Sequence, residues 1–217
     1  MPSTSWETFK ESQFTTSQIK RLDEDLILST KDYFEAVKSF CHPDKELLKT
    51  LVVLGLSGET SELFQEIEKA ISATLHRLDL SRGTFHCHLN VEKIFDETSD
   101  CLWYIFAIIY AFDLNLELFF TDSFRWEGME SKGSSIVLTK IIENLNYSAN
   151  MGELQKKVLG HGKSFADIGV DFARNLFFYR FNLQTIAYNM GFTLEDCAKH
   201  NLDKLKQRHP KGFMEKS

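Results

Sequence analysis

The chain is short of the residues that interrupt helices. Of its 217 residues only 3 are Pro and 11 are Gly, the two types that break or weaken a helix interior. It has 4 cysteines (Cys41, Cys87, Cys101 and Cys197), widely spaced and without a CxxC pair. That excludes a disulfide framework and reads as reduced, intracellular thiols. No apolar run is long. The longest, Leu102 to Phe112, falls well below the ~20 residues that span a bilayer, so no membrane partner is expected. The start, Met1-Pro-Ser-Thr-Ser-Trp-Glu, has neither a basic nor an apolar leader segment. A signal peptide is therefore not expected, and a cytoplasmic location is. Basic residues are outnumbered, 25 against 31 acidic, for a net charge of −6. A surface that coats a nucleic-acid polymer needs a basic stripe, so no such partner is expected. A single nucleotide held through a metal is not excluded.

What is abundant is apolar and aromatic: 43% hydrophobic and 13% aromatic, with 19 Phe. This is enough for one sizeable core or two small ones. The spacing predicts an all-α chain. Ser17 caps a helix to about Ser39, with a break near Ser29-Thr30. His42-Pro43-Asp44 is a turn. A long helix follows from about Asp44 to Leu75, its apolar stripe traced through Leu47, Leu48, Leu51, Leu54, Leu63, Ile67 and Ile71. Gly55 and Gly58 lie inside it, and close approach of a neighbour would explain both. Residues 76–90 connect to a helix from Val91 to Phe112, apolar nearly all round and therefore expected at the centre.

Two segments of these helices carry paired carboxylates. Glu59 and Glu62 lie in Gly55-Leu-Ser-Gly-Glu-Thr-Ser-Glu-Leu63, and Glu97 and Asp100 lie in Asp96-Glu-Thr-Ser-Asp-Cys-Leu-Trp-Tyr104. Residues three apart share a helix face. Two such helices packed together aim four carboxylates at one space, where burial without compensation is costly. A hard divalent cation with oxygen ligands resolves the repulsion, so a Mg²⁺ site is expected, with Mn²⁺ as a substitute. Glu66 and Glu68 read as ordinary surface charge. Trp103 reads as core, and together with Tyr104 it is an aromatic available to face a base.

The pattern then recurs. Leu145 to Leu154 aligns with Leu54 to Leu63, matching Leu145 to Leu54, Ser148 to Ser57, Glu153 to Glu62 and Leu154 to Leu63. Asn175 to Phe181 aligns with Asp100 to Phe106, and Gly191 to Glu195 echoes Asp113 to Glu117. The same order of features in both halves reads as an internal duplication. The counterparts of Glu59, Glu97 and Asp100 are Asn150, Phe172 and Asn175, so only Glu153 survives and the second half cannot build the same site. The expected organisation is a flexible 1–16, an acidic half over 17–121, a linker over 122–134 and a diverged half over 135–213. Phe172 to Phe181 and Tyr188 to Phe192 read as core of the second half. Its end, Asn201-Leu-Asp-Lys-Leu-Lys-Gln-Arg-His-Pro-Lys-Gly-Phe213, sets Asn201, Lys204 and Arg208 on one helix face. Two other patterns carry no site. Gly160-His-Gly-Lys-Ser164 lacks the spacing and preceding strand of a phosphate-binding loop. His86-Cys87-His88 lacks a second ligand pair for zinc.

The two acidic blocks and the Asn201 to Phe213 block resemble the signature segments of the MazG-like, all-α nucleoside triphosphate pyrophosphohydrolases. That superfamily includes dimeric dUTPases, dCTP pyrophosphatases and phosphoribosyl-ATP pyrophosphohydrolases. The resemblance covers roughly residues 45–115 and 185–213. It implies a four-helix core with Mg²⁺ ions held by Glu59, Glu62, Glu97 and Asp100. The implied reaction is hydrolysis of a nucleoside triphosphate to the monophosphate and pyrophosphate, with Glu62 or Glu59 as proton acceptor. Tyr104 is similar to the residue that flanks the nucleotide, Lys69 to a basic residue after the acidic helix, and Asn201, Lys204 and Arg208 to the phosphate-contacting set. The chain departs from the family in a longer gap between the acidic pairs, with residues 72–90 as the extra segment, and in its length. Most MazG domains are much shorter and pair as dimers. Here the second half would be a built-in partner, a pseudo-dimeric monomer in place of a homodimer.

Overall fold

The computed structural model describes residues 28–75, 89–120 and 134–208. Every regular element among them is helical, so the chain is all-α as expected. Several of the helices start where a side chain satisfies free N–H groups. Ser29 caps α1 (Thr30–Ser39) by accepting from the Asp32 N–H at 3.0 Å. The expected break at Ser29-Thr30 is therefore a helix start. The part of that helix expected before Leu28 lies outside the described residues, as do His86-Cys87-His88 and linker residues 122–133. Asp44 accepts from the N–H groups of Glu46 and Leu47 at 2.9 and 3.2 Å and opens α2 (Lys45–Leu75). Asn90 caps α3 (Val91–Ala111) through the Lys93 N–H at 3.2 Å.

A 3₁₀ turn (Leu116–Leu118) follows, and then α4 (Ser134–His161) and α5 (Phe165–Met190). Between these two, Gly162 takes a left-handed φ of 64° and Ser164 pairs with Asp167 at the start of α5. Gly160 to Ser164 is thus a helix end, a bend and a cap, with no strand before it. Gly191, at φ 87°, ends α5. Thr193 and Asp196 then bond reciprocally through side chain and backbone, at 2.9 and 3.0 Å, to start α6 (Leu194–Arg208).

The four long helices form a ring of contacts in which α2 packs on α3, α3 on α5, α5 on α4 and α4 on α2. Contacts between Glu143 and Asn182 and between Asn150 and Asn175 show that α4 and α5 run antiparallel. The central helix is α3, with Ile94, Leu102, Ile105, Phe106, Ile108 and Ile109 wholly inaccessible. It also carries α1 and α6 on its outer side. Full burial of such side chains stabilises the fold by ~1.5–3 kcal/mol each. No described helix is long and apolar enough to cross a membrane.

Two expectations about apolar faces are corrected. In α2 the core stripe runs through Leu48, Val52, Leu56, Thr60, Leu63 and Ile67, whereas Leu47, Leu51 and Leu54 are 45%, 45% and 65% exposed. A stripe traced through Leu47, Leu51 and Leu54 together with Leu48 and Leu63 merged two faces of the helix. In α5, Phe172, Leu176 and Tyr179 are buried core, but Phe177, Phe178 and Tyr188 are exposed. The Phe-rich run is longer than one helix face, and neighbours in sequence project about 100° apart.

Candidate metal centre and basic cleft

The acidic helices α2 and α3 meet closely because Gly55 allows it. A Cβ added there would lie 2.1 Å from Cε1 of Tyr104. Gly58 has no such role, since a Cβ added to it meets nothing within 4 Å. One turn beyond Gly55, the two carboxylate pairs come together. Oxygens of Glu59, Glu62 and Glu97 lie within 4.8 Å of one another. Glu59 and Glu97 are partly buried and Glu62 is exposed. Burial, followed by the neighbouring carboxylates, pushes the Glu59 carboxyl up to about 7. Burial and the Asp96 charge beside it bring Glu97 to about the same value. Such a triad is short of positive charge.

The donor set fits a hard cation. Three carboxylates are the chemistry that Mg²⁺ or Mn²⁺ takes, and an ion at this place would draw together oxygens that already lie within 4.8 Å of one another. A bound ion of this kind would polarise a phosphate and lower the pKa of a coordinated water.

Asp100, expected as a fourth ligand, lies close enough for its charge to raise the Glu59 carboxyl, and both of its oxygens are already paired. Its Oδ1 accepts from Asn201 Nδ2 at 2.9 Å and its Oδ2 from Lys204 Nζ at 2.6 Å. Lys204 also reaches Asp96 Oδ1 at 2.6 Å, and His200 Nε2 lies 2.9 Å from that same oxygen. The His200 bond and the Lys204 ammonium hold Asp96 far below the usual carboxylate range, against the effect of burial. Burial lowers the Lys204 pKa, but its bonds to Asp100 and Asp96 outweigh this, and the net shift is upward. Asn201 is buried and is held from behind by Tyr33, whose hydroxyl donates to Asn201 Oδ1 at 3.3 Å.

These groups line one cleft of about 180 Å³. Glu59 and Asp100 form its acidic wall, Phe40, Trp103 and Tyr104 its aromatic wall, and Asn201, Lys204 and Arg208 its basic wall. Enclosed ligand pockets run to ~300–1,000 Å³, so a ligand larger than a base ring would extend from the cleft along the protein surface. Residues more than 90 apart in sequence thus converge, with α6 laid across α3.

Of the residues expected from sequence, the structure gathers Glu59, Glu62, Glu97, Asp100, Tyr104, Asn201, Lys204 and Arg208 around this place. Lys69 is not among the cleft residues. It is exposed and pairs with Glu66 of its own helix. Glu66, expected as surface charge, is 9% exposed and is Lys69's partner. Trp103 has both expected features, since it packs against the core and its partly exposed side lines the cleft. Asp96, His200, Tyr33 and Phe40 were not anticipated. For two of them a signal exists: Asp96 and Asp100 are four apart, as are His200 and Lys204, and two i, i+4 pairs of opposite charge suit facing helices. No protein-family model, curated protein or solved structure matches this chain.

Proposed function

We propose that the chain hydrolyses nucleoside triphosphates to the monophosphate and pyrophosphate, with Mg²⁺ as the cofactor. One observation carries the reading: the carboxylate triad of Glu59, Glu62 and Glu97 adjoins a cleft lined by aromatic side chains and by Lys204 and Arg208. Those are the three needs of a triphosphate, namely a metal cradle, a surface for the base and countercharge for phosphates. In this reading Trp103 and Tyr104 face the base. Lys204 and Arg208 balance charge on the pyrophosphate leaving group, the electrostatic role expected in phosphoryl transfer. Glu59 accepts a proton from the attacking water. The exposed Glu62 is the other acceptor within the triad.

The MazG-like, four-helix, duplicated architecture is part of the same proposal. It is supported by the two antiparallel pairs, α2 with α3 and α4 with α5, and by one contact. Asn150 Nδ2 donates to Asn175 Oδ1 at 3.4 Å, and these are the positions that match Glu59 and Asp100. A pseudo-dimeric monomer follows, with a homodimer as the alternative that light scattering separates. A panel of canonical and modified deoxynucleoside triphosphates with Mg²⁺, scored for pyrophosphate, tests the activity and ranks bases, so that a dUTP or dCTP specialist stands out. Release of orthophosphate would defeat α–β cleavage. Absence of any turnover and of metal binding would leave a non-catalytic helical scaffold.

A further inference from the structure

In the resting chain the fourth carboxylate is already occupied. Lys204 Nζ lies 2.6 Å from Asp100 Oδ2, and Asn201 takes the other oxygen at 2.9 Å. The same ammonium lies 2.6 Å from Asp96 Oδ1. Lys204 also lines the open cleft, with 18% of its side chain exposed. An ammonium has three N–H donors, and here two are spent on carboxylates of successive turns of α3.

We propose that Lys204 is an internal counter-cation that competes with the metal for Asp100, and that Asp96 is the anchor on which Lys204 rests once Asp100 is released. This rests on the metal reading above and adds a coupling to it. A divalent ion drawing on Asp100 and an ammonium on the same carboxylate repel at close range. The ion therefore binds weakly while Lys204 stays in place. A polyphosphate in the cleft draws Lys204 towards itself and frees Asp100 for the ion. Metal and polyphosphate then bind with positive coupling, and each tightens the other by the same factor. Asp96 retains Lys204 near the cleft throughout, and the 2.9 Å contact from His200 holds the Asp96 carboxylate in position.

The test is calorimetric titration of the full chain with Mg²⁺, with and without inorganic tripolyphosphate. Wild-type protein is expected to bind Mg²⁺ at least tenfold more tightly with tripolyphosphate present, after correction for the Mg²⁺ that tripolyphosphate binds in a protein-free titration. Lys204→Met is expected to bind Mg²⁺ alone about tenfold more tightly than wild type and to lose most of the coupling. Lys204→Arg keeps the cation and is expected to keep wild-type behaviour. Lys69→Met controls for loss of one charge at the edge of the acidic patch, and an equal gain there overturns the proposal. So does unchanged or weakened Mg²⁺ affinity in Lys204→Met. If that variant does not fold by circular dichroism, Lys204→Gln carries the same prediction, with the same result overturning it. Failure of wild type to bind Mg²⁺ under both conditions overturns the metal reading itself, and this inference with it.

Discussion

The Tyr104 ring lies over Gly55, where a Cβ would come within 2.1 Å of its Cε1. This places the aromatic wall of the cleft against the one glycine of α2 that its neighbour requires. Gly55→Ala is expected to destabilise by ~1–3 kcal/mol through overpacking and to displace Tyr104 from the cleft. In a Tyr104→Ala background the same change should become neutral or stabilising, since Ala is favoured over Gly in a helix by ~1 kcal/mol. Additive effects in denaturant melts would contradict the contact. Gly58, with open space around it, is the contrast: Gly58→Ala should stabilise by ~0.5–1 kcal/mol.

Glu62 is exposed and belongs to the acidic triad, so it contributes little to packing and much to the proposed chemistry. Glu62→Gln is expected to lower pyrophosphate release by at least ~100-fold, the scale of a lost general base. Its thermal midpoint should stay near that of wild type. Retained turnover would remove Glu62 from the site.

Glu59 and Glu97 have carboxyls near 7 in the folded chain, against ~4.3 when unfolded. Between those values the folded state holds more protons than the unfolded one, so stability is fully present below the unfolded value and falls as pH rises towards 7. Metal-free protein should therefore melt at a lower temperature at pH 7.5 than at pH 5. Asp96 acts in the opposite direction, but its contribution is lost only as pH falls below the ordinary carboxylate range. Mg²⁺ should raise the melting temperature more at pH 7.5 than at pH 5, since protonated carboxyls are poor ligands. A flat profile from pH 5 to 7.5 would show that these groups are not perturbed.

Asn144 is wholly buried on the core stripe of α4, and neither atom of its amide has a hydrogen-bond partner. Leaving a buried polar group unpaired costs ~1–3 kcal/mol. Asn144→Leu keeps the branched shape and removes both polar atoms, and it is expected to stabilise by up to that amount in urea melts, less the cost of packing its larger side chain. Destabilisation would mean that the amide is satisfied in solution.

Much of the fold was legible from local chemistry. The helix starts near Asp44 and Val91 were read from adjacent residues, because capping is a matter of a few neighbours in sequence. The pairing of α2 with α3 was legible in the Glu59/Glu62 and Glu97/Asp100 spacings, and so was the shared face of Asn201, Lys204 and Arg208. Glu66 was misread because its bond to Lys69 joins two residues of one helix, and spacing gives no sign of whether such a carboxylate is buried or faces the solvent. Leu47, Leu51 and Leu54 were misread for a related reason. An apolar stripe shows that a face exists, but not which neighbour covers it.

The sequence alone therefore determined an all-helical chain, the two acidic pairs and a basic face at its end, since helical period assigns residues to faces. Only the tertiary structure decided what each face meets. It paired Asp100 with Asn201, laid α6 across α3, and joined Lys204 to Asp96 and Asp100. These pairings span more than a hundred residues of chain. They depend on where the core helices pack against one another, which no local spacing encodes.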